Sequence, residues 1–351
     1  MIKNYLVNSL DEFIKRFKDS DQNLLLLVAE GCAFEHSKLL QVKPDVCGAI
    51  FPQIIYEDNN YDDAIVVIDV GKEAEVTLSS FEDFDKSKID KDADDVVVFL
   101  DGLSRHITEF LENLYESTSI GTNIIGAGAG KLTLKQEKVL FTKETMIQDG
   151  VLLLTNSWFV ETSAKHGWEE IAGPFVANDT KETRVYSLDY QDAYEVYKEI
   201  VEKDSNLLFN ENNFFDIAKS YPLGIAKANS EILVRDPIAR DNDSLLLVGD
   251  MDKNSVVYIL KGDKNKLIES AKAATKEAIS KKDNLKGIFV IDCISRVLFL
   301  EDDFKKELQI IRQNVNKKDF IMCGVLSLGE IANTNQDYID FYNKTCVIGA
   351  F

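Results

Sequence analysis

Unbroken runs of apolar residues, each ending near an acid and followed by a helical pattern, organise this chain. The clearest begins at residue 288, where four apolar residues precede Asp292. A helical stripe follows over residues 304–315, and a second apolar run at 321–326 contains Gly324. Apolar runs without alternation are typical of strands that are covered on both faces. This stretch therefore predicts a strand, a helix and a second strand.

The same order occurs twice earlier in the chain. The earlier copies begin with an apolar run near an acid and close with a run that contains glycine: residues 96–101 with Gly126, and residues 24–30 with Gly48. We therefore predict an α/β fold, in which mixed β-sheets with flanking helices are built from one strand-helix-strand unit used three times.

A change in the period of the apolar positions predicts a second domain. It follows two stretches that break the pattern, His166-Gly-Trp168 and Gly173-Pro174. Beyond them comes a helix, and then four runs that predict a meander of strands joined by Asp- and Asn-rich turns: residues 221–224, 232–235, 244–249 and 256–261. We place the domain boundary near residue 180, which gives α/β domains at residues 1–180 and 181–351.

Capping signals mark the starts of two helices. Ser9 and Glu12 form a capping-box pattern ahead of an amphipathic stretch that ends near residue 18. Asp263 is suited to cap a helix with a narrow apolar seam. Leu132-Thr-Leu134, by contrast, alternates like a strand.

The balance of charge limits the kind of partner. The chain has 40 Lys and Arg against 60 Asp and Glu, a formal net charge of −20. A phosphate backbone would meet a repulsive field, and no local basic patch offsets it, so we expect no nucleic-acid partner. No apolar run approaches the roughly 20 residues of a membrane helix, and the first residues lack a secretion signal. We therefore expect no membrane partner and a cytoplasmic location.

Cysteines and histidines do not form a metal-binding pattern. The five cysteines include no C-x-x-C pair, which argues against a disulfide framework and a thiolate zinc site. The three histidines lie in different segments, so we expect no metal ion and no cofactor. Gly126-x-Gly-x-Gly130-Lys131 has the spacing of neither a dinucleotide loop nor a P-loop. Glycine where two backbones approach is the better interpretation.

Polar residues at the ends of the leading strands predict a ligand site. In α/β sheets, ligands bind beyond the carboxyl ends of strands. The residues at or just beyond these ends are three acids and their small or charged neighbours: Glu30, Cys32, Asp101, Ser104, Arg105, Asp292, Ser295 and Arg296. Helix capping is the alternative, because Asp and Ser at a strand-to-helix junction satisfy free backbone N–H groups.

Several motifs resemble the FIST family, the sensory domain of bacterial signal-transduction proteins that also occurs in a eukaryotic F-box protein. The motifs follow the order and distances of the family: His166-Gly-Trp168 with Gly173 and Pro174, Tyr221-Pro-Leu-Gly224, Arg235-Asp236-Pro237-Ile238 followed by residues 241–244, and Gly324 to Ile331. The resemblance implies a FIST N-terminal domain over residues 1–180 and a FIST C-terminal domain over residues 181–351.

The same resemblance implies a cytoplasmic small-molecule sensor, with amino acids among the expected ligands. Arg235 or Arg296 would hold a carboxylate by paired hydrogen bonds, and an acid would take an ammonium group. The candidate ligand-binding residues are His166, Arg235, Asp236, Asp292, Cys293, Ser295, Arg296, Ser327, Gly329 and Glu330. Because no kinase, cyclase or chemoreceptor segment is recognised in the chain, the signal would pass through a protein partner.

Two other functions remain open on the sequence. The first is a protein-interaction adapter without a working ligand pocket, as the F-box association allows. The second is a hydrolase or transferase that uses Cys293 or Cys32, which would require a histidine within hydrogen-bond reach of the thiol. Spacing does not bring such a pair together, so we expect no enzymatic activity.

Overall fold

The computed structural model describes residues 3–89, 91–155, 161–227, 231–280, 285–315, 320–333 and 338–351. The α-helices within these ranges are α1 (Leu10–Phe17), α2 (Ile107–Ser117), α3 (Ala193–Ser205), α4 (Phe214–Ala218), α5 (Lys264–Ser280), α6 (Ile294–Leu300) and α7 (Phe304–Asn314). None of the described helices is both long enough and apolar enough to cross a membrane.

Strands outnumber helices throughout the described residues. The strands before residue 166 are β1 (Asn4–Val7), β2 (Leu24–Ala29), β3 (Val46–Phe51), β4 (Gln53–Tyr56), β5 (Asn59–Tyr61), β6 (Ile65–Asp69), β7 (Glu75–Ser80), β8 (Asp95–Asp101), β9 (Asn123–Ala129), β10 (Leu140–Thr142), β11 (Met146–Ile147), β12 (Gly150–Thr155) and β13 (Glu161–Lys165). Those after it are β14 (Glu169–Ala177), β15 (Asp179–Lys181), β16 (Arg184–Leu188), β17 (Gln191–Asp192), β18 (Leu223–Ile225), β19 (Leu233–Asp241), β20 (Ser244–Val248), β21 (Ser255–Lys261), β22 (Gly287–Cys293), β23 (Ile321–Ser327), β24 (Glu330–Ala332), β25 (Asp340–Tyr342) and β26 (Cys346–Ala350).

The strands form four sheets. Their orders are β1-β6-β2-β3-β10-β11 in the first, β25-β24-β9-β8-β12-β7 in the second, β13-β26-β22-β23-β4-β5 in the third, and β14-β21-β18-β19-β20-β16-β15 in the fourth, where β17 pairs with β16. The first three sheets mix parallel and antiparallel pairs, and helices pack against the second and third. The α/β fold class is therefore confirmed.

Each parallel pair lies at one of the stretches that the sequence marked. The pairs are β2 with β3, β8 with β9, and β22 with β23. The first pair is connected through a 3-10 helix at His36–Gln41, whereas α-helices connect the other two. That the three stretches are copies of one unit stays a prediction.

A central glycine lets the strands of each parallel pair lie close together. In all three pairs, a glycine of the second strand aligns with a residue of the first: Gly48 with Leu26, Gly126 with Val98, and Gly324 with Val290. A Cβ atom on Gly324 would lie 1.8 Å from the Val290 carbonyl oxygen. Gly126, the first glycine of Gly126-x-Gly-x-Gly130, has the same role, because a Cβ there would lie 2.1 Å from the Val98 carbonyl oxygen.

Burial on both faces explains the apolar runs. In β22, Phe289 and Ile291 belong to a central core to which all four sheets contribute, whereas Ile288 and Val290 pack with α5, α6 and α7. The second sheet repeats the arrangement, with alternate residues of β8 facing α2. Because neither face meets water, every position in such a strand favours an apolar residue.

Strands from before and after residue 180 share sheets. The register joins β4 to β23, β9 to β24 and β13 to β26. The division at residue 180 stays a prediction.

Local signals for single elements are mostly confirmed. The Ser9 hydroxyl accepts a hydrogen bond from the Glu12 N–H, and Glu12 accepts one from the Asn8 N–H. Asp263 accepts from the Lys266 N–H at the start of α5. The four predicted strands correspond to β18–β21, and β18, β19 and β20 pair in sequence order, whereas β21 pairs with β18 and β14 and so does not continue the meander. The strand predicted from the alternation at residues 132–134 was wrong, since this segment is a loop in which Leu134 has a φ of +52°. A left-handed φ is incompatible with a strand.

Candidate functional site

An apolar cavity of about 510 Å³ opens where the loop after β8 and the start of α6 approach β19 and β20. This volume lies within the roughly 300–1,000 Å³ typical of small-molecule pockets. Much of its wall is leucine, isoleucine and phenylalanine, including Leu103, Leu247, Ile294, Leu298, Leu328 and Phe341. Of the predicted site residues, Arg235, Asp236, Cys293 and Ser295 line it, as do Ser104 and Arg105. The cavity thus contains Ser104, Arg105 and Ser295 from the strand-end rule, and Arg235 and Asp236 from the family motif.

The acids at the ends of β2 and β8 hold the loops of the cavity wall. Asp101 accepts hydrogen bonds from the N–H groups of Leu103 at 3.1 Å and Asp149 at 2.8 Å. Glu30 accepts one from the Leu132 N–H at 2.6 Å. Both carboxylates therefore satisfy backbone donors of loops, and these bonds are not helix caps, because Leu103, Leu132 and Asp149 lie outside the first turn of any described helix.

Arg235 on β19 is the most distinctive group in the wall. Its side chain is only 7% exposed. Nε donates to the Asp250 carbonyl oxygen at 3.0 Å, and Nη1 donates to the carbonyl oxygens of Val234 and Phe341, both at 3.1 Å, and to Asn343 Oδ1 at 3.3 Å. Nη2 donates to none of the described residues, so its two N–H groups are available to a ligand.

The charge of Arg235 is not balanced by an ion pair with any described residue. Burial lowers its pKa, although Asp250, Asp340 and Asp252 raise it from a distance. Arginine nevertheless stays protonated in proteins. Gly249 lies directly against the guanidinium at a φ of +83°, and a Cβ there would be 3.0 Å from Nε. The site thus presents a buried cation whose partners are neutral, an arrangement that an anion would stabilise.

Asp236, the neighbour of Arg235, is balanced from within the protein. Its carboxylate oxygens are fully enclosed, and Oδ2 lies 3.1 Å from the Lys344 ammonium, without the alignment of a hydrogen bond. Burial raises the pKa of Asp236, while Lys344 and Ser295 lower it. Lys344 is itself completely buried and lies 4.8 Å from the centre of the Trp168 ring.

Behind the cavity wall lies a buried ion triad. Arg296 Nε is 2.9 Å from Asp292 Oδ1, and Arg296 Nη2 donates to Glu307 Oε2 at 2.6 Å. The remaining donors bind the carbonyl oxygens of His166 and Leu267. Burial and the adjacent Glu307 raise the pKa of Asp292, and Arg296 lowers it. All three ionic groups are inaccessible to solvent, so the structure places Asp292 and Arg296 behind the cavity.

Glu330, Ser327 and Cys293 form a second buried group beside the triad. Ser327 Oγ donates to Glu330 Oε1 at 2.7 Å, and the Thr345 N–H donates to Oε2 at 3.2 Å. The nearby Cys293 thiol also lowers the pKa of this carboxyl group. Burial outweighs these bonds and raises the pKa of Glu330 to about 8. Gly329 allows the Phe341 ring to pack against it, since a Cβ there would lie 2.1 Å from the ring. Phe341 in turn lines the cavity.

The titration of Glu330 predicts how stability depends on pH. The ordinary pKa of this group is 4.5. At pH values between 4.5 and about 8, Glu330 is ionised in the unfolded chain and protonated in the folded protein. Unfolding then releases a proton, so the free energy of unfolding should fall as pH rises from 6.5 to 8, by up to about 1.4 kcal/mol per pH unit. Urea denaturation at several pH values should show this slope in the wild type and in Glu112→Gln, an exposed control. An unchanged slope in Glu330→Gln would assign the titration to another group.

His166 lies in the same buried region and is uncharged at neutral pH. Its Nδ1 accepts a hydrogen bond from the Trp168 N–H at 2.8 Å, so the ring proton is on Nε2, which is 3.5 Å from Glu231. Burial lowers its pKa to about 4, despite Glu231. The His166 side chain does not line the cavity, but its carbonyl oxygen positions Arg296.

The thiols do not have the surroundings of a nucleophile. Burial and Glu330 raise the pKa of Cys293 well above its usual range, and burial also raises that of Cys32. Among the described residues, no hydrogen bond joins a cysteine to a histidine. Nor do the described His, Cys, Asp and Glu side chains form a group of three that could hold a metal ion.

Apolar residues of the cavity were missed by the sequence interpretation. Leu132 and Leu134 reach it from a loop, Leu247 from β20, and Phe341 from β25. None follows a strand-end acid, and apolar residues carry no chemical signal of their own.

Several motifs that resemble the FIST family lie together in the buried region behind the cavity. Trp168 Nε1 donates to the Lys344 carbonyl oxygen at 3.0 Å, which joins the His166-Gly-Trp168 motif to the buried lysine that pairs with Asp236. Ser327 and Glu330 of the last motif lie beside Cys293. These motifs therefore build one continuous region behind and around the cavity.

Comparison with known proteins identifies the family. The FIST N domain model matches residues 35–191, and the FIST C domain model matches residues 193–333. Comparison with curated proteins gives no match. FIST domains are associated with sensory signal transduction. Since the two models together cover most of its length, this chain belongs to the FIST family.

Proposed function

We propose that this protein senses a small molecule, which it binds in the cavity beside Arg235. The observation that carries the proposal is a buried guanidinium in a largely apolar wall, held by neutral acceptors and with two N–H groups unused. A carboxylate accepts strong, charge-assisted hydrogen bonds from a guanidinium group, and here Nη2 would donate them because Nε and Nη1 already donate to protein oxygens. A small carboxylate, amino acids included, is the class of ligand that this group favours.

The position of the cavity supports signalling by a change of surface. Its wall combines the loop at residues 102–105 with Arg235 and Ser295, which come from distant parts of the sequence. A ligand that touches all of them favours the conformations in which they lie close together. We propose that a cytoplasmic protein partner reads this change.

Ligand-dependent stability tests the proposal. In a thermal-shift screen against amino acids, small amines and carboxylates, a ligand at a hundred times its Kd should stabilise the folded state by about 2.7 kcal/mol. Each variant is compared with its own ligand-free melting temperature, because Arg235→Gln also removes structural hydrogen bonds. We expect Arg235→Gln to lose at least half of this stabilisation, because a charged hydrogen bond contributes about 1.5–3 kcal/mol.

The matched control is Arg240→Gln, on the same strand, which removes an exposed arginine that lies over Tyr194. This variant should keep the full shift. If no compound stabilises the wild type, or if Arg235→Gln responds as the wild type does, the cavity beside Arg235 is not a sensing site.

A further inference from the structure

The charges around the cavity select among possible ligands. Arg235 contributes one buried positive charge, whereas Asp236 and Lys344 balance each other behind the wall. Two exposed charged residues line the opening, Arg105 and Asp250. Their charges are opposite in sign and are screened by water. The interior therefore has a net charge of one positive unit, which a ligand with one negative charge would neutralise.

The described wall residues offer no accessible buried carboxylate to pair with an ammonium group. Its inner polar side chains other than Arg235 are neutral, namely Cys293, Ser295 and Asn343, and the oxygens of Asp236 are enclosed by protein. An ammonium group inside would lose its water without gaining a carboxylate partner, which is costly. The interior thus disfavours a zwitterion.

Arg235 also borders a second groove, of about 450 Å³, and that groove does not suit an anion. Its wall carries the acids Glu112, Glu116, Asp250, Asp252 and Asp340. Of these, Glu116 is paired with Lys86 and Asp340 with Lys227. The remaining acids would repel a carboxylate. The apolar cavity is therefore the side from which an anion can reach Arg235.

We propose that the cavity binds an apolar monocarboxylate without an α-ammonium group. This inference rests on the proposed sensing function and narrows its ligand class. The carboxylate binds the free N–H groups of Arg235. The hydrocarbon or aromatic body packs against Ile294, Leu298 and Leu328.

A matched set of compounds tests the ligand class. 3-Phenylpropanoic acid, phenylalanine, 2-phenylethylamine and 3-phenylpropan-1-ol share one body and differ in charge, and octanoic acid, 2-aminooctanoic acid, octylamine and octan-1-ol repeat the comparison with a flexible chain. Calorimetric titration of the full chain should give the lowest Kd for the acid of at least one series. We expect its amino acid and its alcohol to bind at least tenfold more weakly, a difference of about 1.4 kcal/mol.

The outcomes separate the two proposals. Amino acids that bind as tightly as their acids, or amines that bind when acids do not, would overturn the apolar monocarboxylate while leaving the sensing function in place. An alcohol equal to its acid would overturn the role of Arg235. If neither series binds, the monocarboxylate is overturned, and the sensing function then depends on the wider screen.

A wall variant keeps the test independent of Arg235. Leu298 lines the cavity and is 43% exposed, so Leu298→Glu should fold while placing a negative charge beside the ligand. We expect at least tenfold weaker binding of the acid. Leu208→Glu, at a 73% exposed leucine that does not line the cavity, should leave the Kd unchanged. Equal affinity in Leu298→Glu and wild type would contradict the assigned site.

Discussion

Arg296→Met should lower the free energy of unfolding by about 3–5 kcal/mol, because it removes the one cation that two buried carboxylates share. Arg296, Asp292 and Glu307 are all inaccessible to solvent. Methionine matches the length of the arginine stem and brings no charge. The variant therefore tests the ion triad with little change in packing volume.

The expected loss comes from the groups that remain. Without Arg296, Asp292 and Glu307 must either keep adjacent negative charges in the interior or take up a proton. The carbonyl oxygens of His166 and Leu267 also lose their donor. Each of these changes costs free energy in a site that water does not reach.

Urea denaturation followed by fluorescence measures the effect. The control is Arg312→Met, which removes an ion pair with Glu57 at 3.2 Å between half-exposed side chains. Pairs of this kind contribute about 0–1 kcal/mol. If both variants lose the same stability, the triad does not hold the fold together.

The role of Arg296 shows how far sequence reasoning reaches at this site. Asp292 ends a strand and Arg296 follows it by four residues, so their proximity is visible in the sequence. Glu307 approaches from α7, and the bond to it depends on how helices pack, which no local pattern specifies. The sequence therefore identified Asp292 and Arg296 as neighbours but not that they are completely buried. Contact of Arg296 with a ligand stays a prediction.

The sequence likewise predicted only some of the residues that line the cavity. Strand-end positions identified Ser104, Arg105 and Ser295. Because β8 and β22 lie in different sheets, the meeting of their carboxyl ends depends on how the sheets pack. Arg235 came from a family motif. The apolar wall was not identified, since leucines of a ligand site and leucines of a core have the same pattern in sequence.

Pairing between strands that are far apart in the sequence was not predicted. The period of apolar residues identified β22 and β23, and the turns identified β18 to β21. That β4 pairs with β23 follows from a register between segments more than 260 residues apart. Such a register is determined by the assembled sheet, and a short apolar strand like β4 is compatible with many partners.

The central glycines of the parallel pairs carry the second large effect. Gly324→Ala should lower the free energy of unfolding by about 3 kcal/mol, the upper end of the usual cost of overpacking. The added Cβ would lie 1.8 Å from the Val290 carbonyl oxygen and 2.7 Å from its carbon. Both atoms are backbone in the middle of a buried strand, so relief requires moving β22 away from β23.

Gly71→Ala provides the control for backbone conformation. Gly71 has a φ of +77° and no atom within 4 Å of its added Cβ, so the substitution costs only the left-handed conformation, about 1–2 kcal/mol. Gly324 carries no such strain, and its cost comes from the clash alone. Urea denaturation should therefore rank Gly324→Ala as the less stable variant. The reverse order would show that the parallel strands separate easily, and the cavity wall that begins at Cys293 would then rest on a deformable sheet.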